Sequence, residues 1–147
     1  MNTPNTYNYA DAPTSFCKCL AEGCTAAAQC LRYQAARALM EHKRQMWVLS
    51  PMYIRPADGE KCPCFLSTRP IRVAKGFKRA LGSVRADKVK DAITDLMRLH
   101  SRRTYYRMRN GEIALNADEQ QEVAAILTRY GAEPPIVFDA YEEVAPW

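Results

Sequence analysis

Six cysteines carry the most distinctive chemistry in this 147-residue chain: Cys17, Cys19, Cys24 and Cys30 in one segment, Cys62 and Cys64 in a second. Thiolates act as nucleophiles, redox partners or soft metal ligands, and spacing decides among these roles. A redox pair favours Cys-x-x-Cys beside a strand–helix–strand unit, and that spacing is absent. A closed tetrahedral thiolate site needs four sulfurs from separated segments. The candidate ligands are Cys19, Cys24, Cys30 and Cys62; Cys17 and Cys64, each two residues from one of these, are the substitutes. Zinc is the expected ion, an iron–sulfur cluster the alternative, since it also takes four thiolates. Six thiols without a metal are the plain alternative. A closed four-thiolate site would be structural, because metal-binding energy acts as folding energy.

Compartment enters that reading. Met1 to Ala12 is polar and lacks a basic stretch followed by an apolar one, so secretion is not expected and the setting is taken as cytoplasmic and reducing, where cysteines serve metals more than disulfides. No run of about 18 apolar residues predicts a membrane span.

Other reactive side chains form no constellation. His100 stands beside Arg102 and Arg103 with no nucleophile or carboxylate at a telling spacing, and reads as a surface or phosphate contact. Glu133, Asp139, Glu142 and Glu143 are too dispersed for a calcium loop and read as a solvated face. The glycines make no phosphate-binding pattern. No enzyme activity is expected.

Charge is strongly segregated. Residues 69–109 hold 13 Lys and Arg against three Asp and Glu, while residues 110–147 hold one against eight. A concentrated positive field suits a polyanion. The competing reading is that the acidic tail, or an acidic protein partner, neutralises the basic block.

The elements that must position these groups follow from periodicity. Residues 1–15 read as an extended arm, and 16–147 as one domain: a cysteine-bearing half at 16–68 and a basic half with an acidic tail at 69–147. Good helix formers from Ala26 to Trp47 predict a helix, and Met52 to Ile54 a short strand. Pro70 opens a predicted helix over Ile71 to Leu81, followed by one over Ala86 to Leu99. Asn116 with Glu119 three residues on predicts a capped helix ending at Gly131. Ile136 to Phe138 reads as a short strand. Thr104 to Met108 is read as helix, with a β-hairpin at Asn110-Gly111 as the alternative. The fold class is mainly α, a metal-stabilised helical domain with a helix-turn-helix-like C-terminal half; a small α+β fold is the alternative.

Two resemblances add to this. Cys19-x4-Cys24-x5-Cys30-Leu31-Arg32-Tyr33, then Cys62-Pro63, Tyr105-Tyr106-Arg107 with Gly111-Glu112, Phe138-Asp139-x-Tyr141 and Trp147 resemble an uncharacterised bacterial family of unknown function. That likeness implies one domain, steers the ligand choice to the same four cysteines, and brings no activity. Locally, Thr104 to Glu112 followed by Leu115 to Gly131 resembles the recognition helix and next helix of phage-repressor-type helix-turn-helix proteins. The resemblance implies that Ser101 caps the recognition helix, that Tyr105 and Met108 face the core, and that Arg102, Arg103, Tyr106, Arg107 and Arg109 face DNA in the major groove. The expected protein is thus small, zinc-stabilised and non-enzymatic, binding DNA in a regulatory role or serving as an interaction module.

Overall fold

The computed structural model describes residues 7–147. The chain divides into two compact units: one runs to Pro70 and takes in Ala145–Trp147, the other is Ile71–Val144.

In the first unit regular structure is sparse. Helix α1 spans Leu31–Leu39, and short 3-10 turns lie at Tyr9–Asp11, Ala27–Gln29, Pro51–Tyr53 and Pro56–Lys61. The helix predicted over Ala26 to Trp47 is therefore shortened at both ends. At its start, Cys30 has extended backbone and bridges to Ser67, so the helix cannot begin earlier. At its end, Met40 to Arg44 is exposed throughout and has no apolar face to bury, and burial rather than propensity holds most protein helices. Leu31, Ala35, Ala36 and Leu39 form the buried stripe. The core of this unit is small: Phe16, Leu31 and Ala35, with Trp147 packed edge-on against Phe16 and Tyr7 at 6.0 and 5.6 Å between ring centroids. The predicted strand at Met52 to Ile54 is one of the 3-10 turns, opened by Pro51. Of the predicted arm, residues 1–6 lie outside the described residues; Tyr7 and Tyr9 pack on Trp147.

The second unit is mixed. Its elements are β1 Ile71–Lys75, α2 Lys78–Gly82, α3 Val89–Leu99, α4 Arg102–Arg109, β2 Ala114–Leu115, α5 Ala117–Arg129 and β3 Ala140–Val144. The strands form an antiparallel sheet in the order β2-β1-β3. This sheet overturns the mainly α expectation and its helix-turn-helix-like C-terminal half, for helix takes 45% and strand 11% of the structure.

The largest departure is at Ile71 to Leu81. The apolar residues Val73, Ala74, Phe77 and Leu81 are all buried as expected, but a strand and a short helix deliver them instead of one helix. Ile71 to Lys75 pairs residue by residue with Val144 to Ala140 on one edge, and Ala74 and Lys75 pair with Leu115 and Ala114 on the other. Two pairing edges satisfy backbone groups that a helix would have satisfied internally. Gly76 then breaks the strand at φ 73°. The tail strand is Ala140–Val144, beyond the predicted Ile136 to Phe138.

Three helices stand where periodicity and caps placed them. α3 buries Ala92 and Leu96. α4 starts at Ser101, whose hydroxyl accepts the Thr104 N–H at 3.2 Å. α5 has the full reciprocal box: Asn116 accepts from the Glu119 N–H at 2.9 Å and Glu119 accepts from the Asn116 N–H at 2.8 Å. One core joins sheet and helices, with Tyr105, Phe77, Leu96, Met108, Leu115, Leu127 and Val123 fully buried in it.

Candidate nucleic-acid interface and cysteine cluster

α4 is the element that presents the arginines. Tyr105 and Met108, three residues apart, fall on one face of it and are 1% and 2% exposed. They anchor the helix, with the Tyr105 ring 6.0 Å from that of Phe77. Burial pushes the Tyr105 phenol up, and the nearby Arg109 works against that shift. The opposite face carries Arg102, Arg103, Tyr106 and Arg107, all exposed, with Arg109 half-buried at its edge. The Tyr106 ring stands edge-on to Tyr105 at 5.1 Å, and the guanidinium carbons of Arg102 and Arg109 lie 5.9 and 5.3 Å from its centroid. Two cations on one exposed ring hold the arginine stems in place. Arg107 makes an ion pair with Glu112 at 3.5 Å.

Backbone contacts fix where α4 ends. The Phe77 N–H donates to the Arg109 carbonyl at 3.3 Å, and a Cβ at Gly76 would lie 3.3 Å from that same oxygen.

Among the described residues the acidic tail reaches this face only at Arg107, through Glu112. Asp139 accepts from the backbone N–H groups of Lys78 and Arg79 at 2.8 and 3.1 Å, capping α2 from a distant segment. Glu142 pairs with Lys75 at 2.9 Å across β1 and β3. Asp139 is thereby engaged, while Glu142, though paired, stays exposed with Glu133 and Glu143, as the solvated-face reading expects. Among the described residues no carboxylate pairs with Arg102, Arg103 or Arg109. His100, at the end of α3, has its Nε2 buried without a partner among the described residues.

The cysteine cluster belongs to the first unit. Main-chain hydrogen bonds draw its segments together. The Cys19 N–H donates to the Arg32 carbonyl at 3.1 Å, which sets Cys19 beside the first turn of α1, and Cys30 is the residue before that turn. The Leu31 N–H donates to the Leu66 carbonyl at 2.7 Å. The Thr25 N–H and hydroxyl both donate to the Pro56 carbonyl, fastening Cys24 to the segment before Cys62. The Cys62 sulfur accepts the Arg55 N–H at 3.3 Å. Burial pushes the Cys19 thiol up; the Ala21 N–H pulls it down, and Cys30, Cys24 and Cys62 push it up again. Cys19 thus lies within electrostatic reach of the other three predicted ligands. They do not converge further: among the described residues no group of three or more His, Cys, Asp or Glu side chains is assembled to hold a metal ion. A fold held by an assembled metal site, as expected from the spacing, is corrected accordingly. Cys64 lies outside the four, its thiol pushed up by burial and by Cys62, and its sulfur donates to the Tyr53 carbonyl. Cys17 donates to the Ser15 carbonyl. All six cysteines are free thiols.

No described helix is long and apolar enough to cross a membrane. No curated protein and no solved structure matches the chain. A family model described as a family of unknown function, DUF6078, matches residues 1–147, and the chain belongs to that family.

Proposed function

We propose that this chain is a non-enzymatic protein that binds DNA through the exposed face of α4. The observation that carries the reading is that Arg102 and Arg103 stand exposed without acidic partners, on a helix whose other face is locked into the core by Tyr105 and Met108. A rigid helix bearing unpaired guanidinium groups offers phosphate oxygens charge-assisted hydrogen bonds. Tyr106, with cations beside its ring, adds a planar polar contact at the centre of that face. Phosphate contacts release counterions, so affinity falls steeply with salt. Fluorescence anisotropy on a mixed-sequence duplex, titrated across salt concentrations, tests this. The triple change Arg102→Ala, Arg103→Ala, Arg107→Ala is expected to weaken binding and flatten the log–log salt slope by roughly 3, at about 0.9 per lost phosphate contact. Absence of binding at low salt removes the reading, and capture by an acidic protein in its place would make the same face a protein-interaction surface.

The first unit supports a second component, a zinc ion held by Cys19, Cys24, Cys30 and Cys62. The backbone hydrogen bonds that bring the segments carrying these cysteines together support it, and so does the amide N–H already donated to the Cys62 sulfur, since such donors stabilise thiolate ligands. The small core of this unit leaves room for a staple. Elemental analysis of protein purified without tags or chelators is expected to give one zinc per chain. Iron with sulfide would replace zinc by a cluster, and a metal-free sample that refuses added zinc would remove the component.

A further inference from the structure

Lys18 is the one buried charged residue among the described residues, 4% exposed. Its backbone is stitched to the segment after α1: its N–H donates to the Trp47 carbonyl and its carbonyl accepts from the Leu49 N–H, both at 2.9 Å. The side chain is thereby held inside the first unit. Its ammonium lies 5.9 Å from the centroid of the Phe16 ring and makes no hydrogen bond or ion pair with any described residue. Phe16 also carries the Arg32 guanidinium at 5.0 Å, so the ring is shared between two cations and offers neither a formal countercharge. The side chain is buried as a whole, but its Nζ is not sealed from solvent, so the ammonium opens onto space with no countercharge beside it.

The missing partner has a place. Lys18 lines a cavity of about 660 Å³, within the range of small-molecule sites. Lys43 is a second cation on its wall, and no Asp or Glu lines it. The rest of the wall includes Leu39, Met46, Trp47 and Val48. Trp47 is 66% exposed and Val48 43% exposed, which leaves large apolar surface facing water at the edge of a positively charged hollow. Lysines act on anions as point charges, without the planar fork by which arginine grips phosphate, so a compact carboxylate head suits this wall.

We propose that this cavity binds an organic carboxylate with an apolar body, its carboxylate meeting the Lys18 ammonium and its body covering Trp47, Val48 and Met46. The site lies within the first unit and does not rest on DNA binding by α4.

Octanoate is a suitable probe, with 1-octanol as its uncharged counterpart. Calorimetric titration of the full chain is expected to show one saturable site for octanoate and binding at least tenfold weaker for 1-octanol. Lys18→Met should leave the ligand-free protein folded and should weaken octanoate at least tenfold. Lys43→Met, more exposed and safer for folding, should weaken octanoate severalfold. No saturable binding of octanoate to the wild-type chain overturns the proposal. So does equal affinity for octanoate and octanol, or unchanged affinity in a folded Lys18→Met protein.

Discussion

At the residue scale, single polar groups do more positioning than the composition implies. Asp95 of α3 is half-buried and accepts the Tyr130 hydroxyl, with Arg98 and Arg129 beside it at 3.0 and 3.6 Å. It ties α3 to the end of α5. Because the Asp95 carboxylate accepts its hydroxyl, the Tyr130 phenol is pushed above its ordinary value of 10.0, with burial adding to the effect. The folded protein then holds that proton at pH values where the unfolded chain has lost it. The stabilisation is fully present below about pH 10 and is lost as pH rises through the folded value. Tyr130→Phe is therefore expected to lower stability at pH 7, with the gap to wild type closing above pH 10 in denaturant titrations at several pH values. A gap that stays constant with pH would show that the hydroxyl contributes by packing alone.

At the element scale, α4 depends on the turn that abuts its end. Gly76 has φ 73°, and a Cβ there would lie 2.7 Å from an Asp139 carboxylate oxygen and 3.3 Å from the Arg109 carbonyl. The strain and the close approach both oppose any side chain. Gly76→Ala is expected to cost about 1–3 kcal/mol, the usual penalty for forcing a side chain into left-handed backbone, measured by urea unfolding. If α4 carries DNA binding, the same variant should weaken affinity without removing a charge. α4 itself was legible: Thr104 to Met108 was read as helix, and the resemblance implied Ser101 as cap and Tyr105 with Met108 as the inward pair; the Asn110-Gly111 hairpin signal instead marks where the helix stops, with Gly111 at φ 80°. β1 was not legible. Val73, Ala74, Phe77 and Leu81 fit a helical stripe as well as they fit a strand followed by a helix, and what decides is the pairing of Ile71 to Lys75 with Ala140 to Val144, nearly 70 residues away.

At the scale of the whole molecule, the two units draw on separate cores. The metal prediction has a consequence here. A strong chelator should lower the thermal stability of the first unit and leave DNA binding by the second intact, read by anisotropy before and after treatment. Loss of both would mean that metal supports the interface as well. Charge follows the same division. The basic block and the acidic tail meet within the second unit, where Lys75 and the start of α2 take up Glu142 and Asp139 and Arg107 takes up Glu112, while among the described residues Arg102, Arg103 and Arg109 make no such pair.

The sequence by itself determined that α3, α4 and α5 are helices, and it placed the capping box that opens α5. These rest on local rules: a 3.6-residue period, and an amide with a carboxylate three residues on at the first turn. Only the tertiary structure decided that Ile71 to Lys75 is a central strand, that Asp139 and Glu142 serve the sheet, and that Lys18 is buried beside a cavity. Strand pairing, distant caps and the burial of a charge are set by partners far along the chain, and nothing near Ile71, Asp139 or Lys18 in the sequence names those partners.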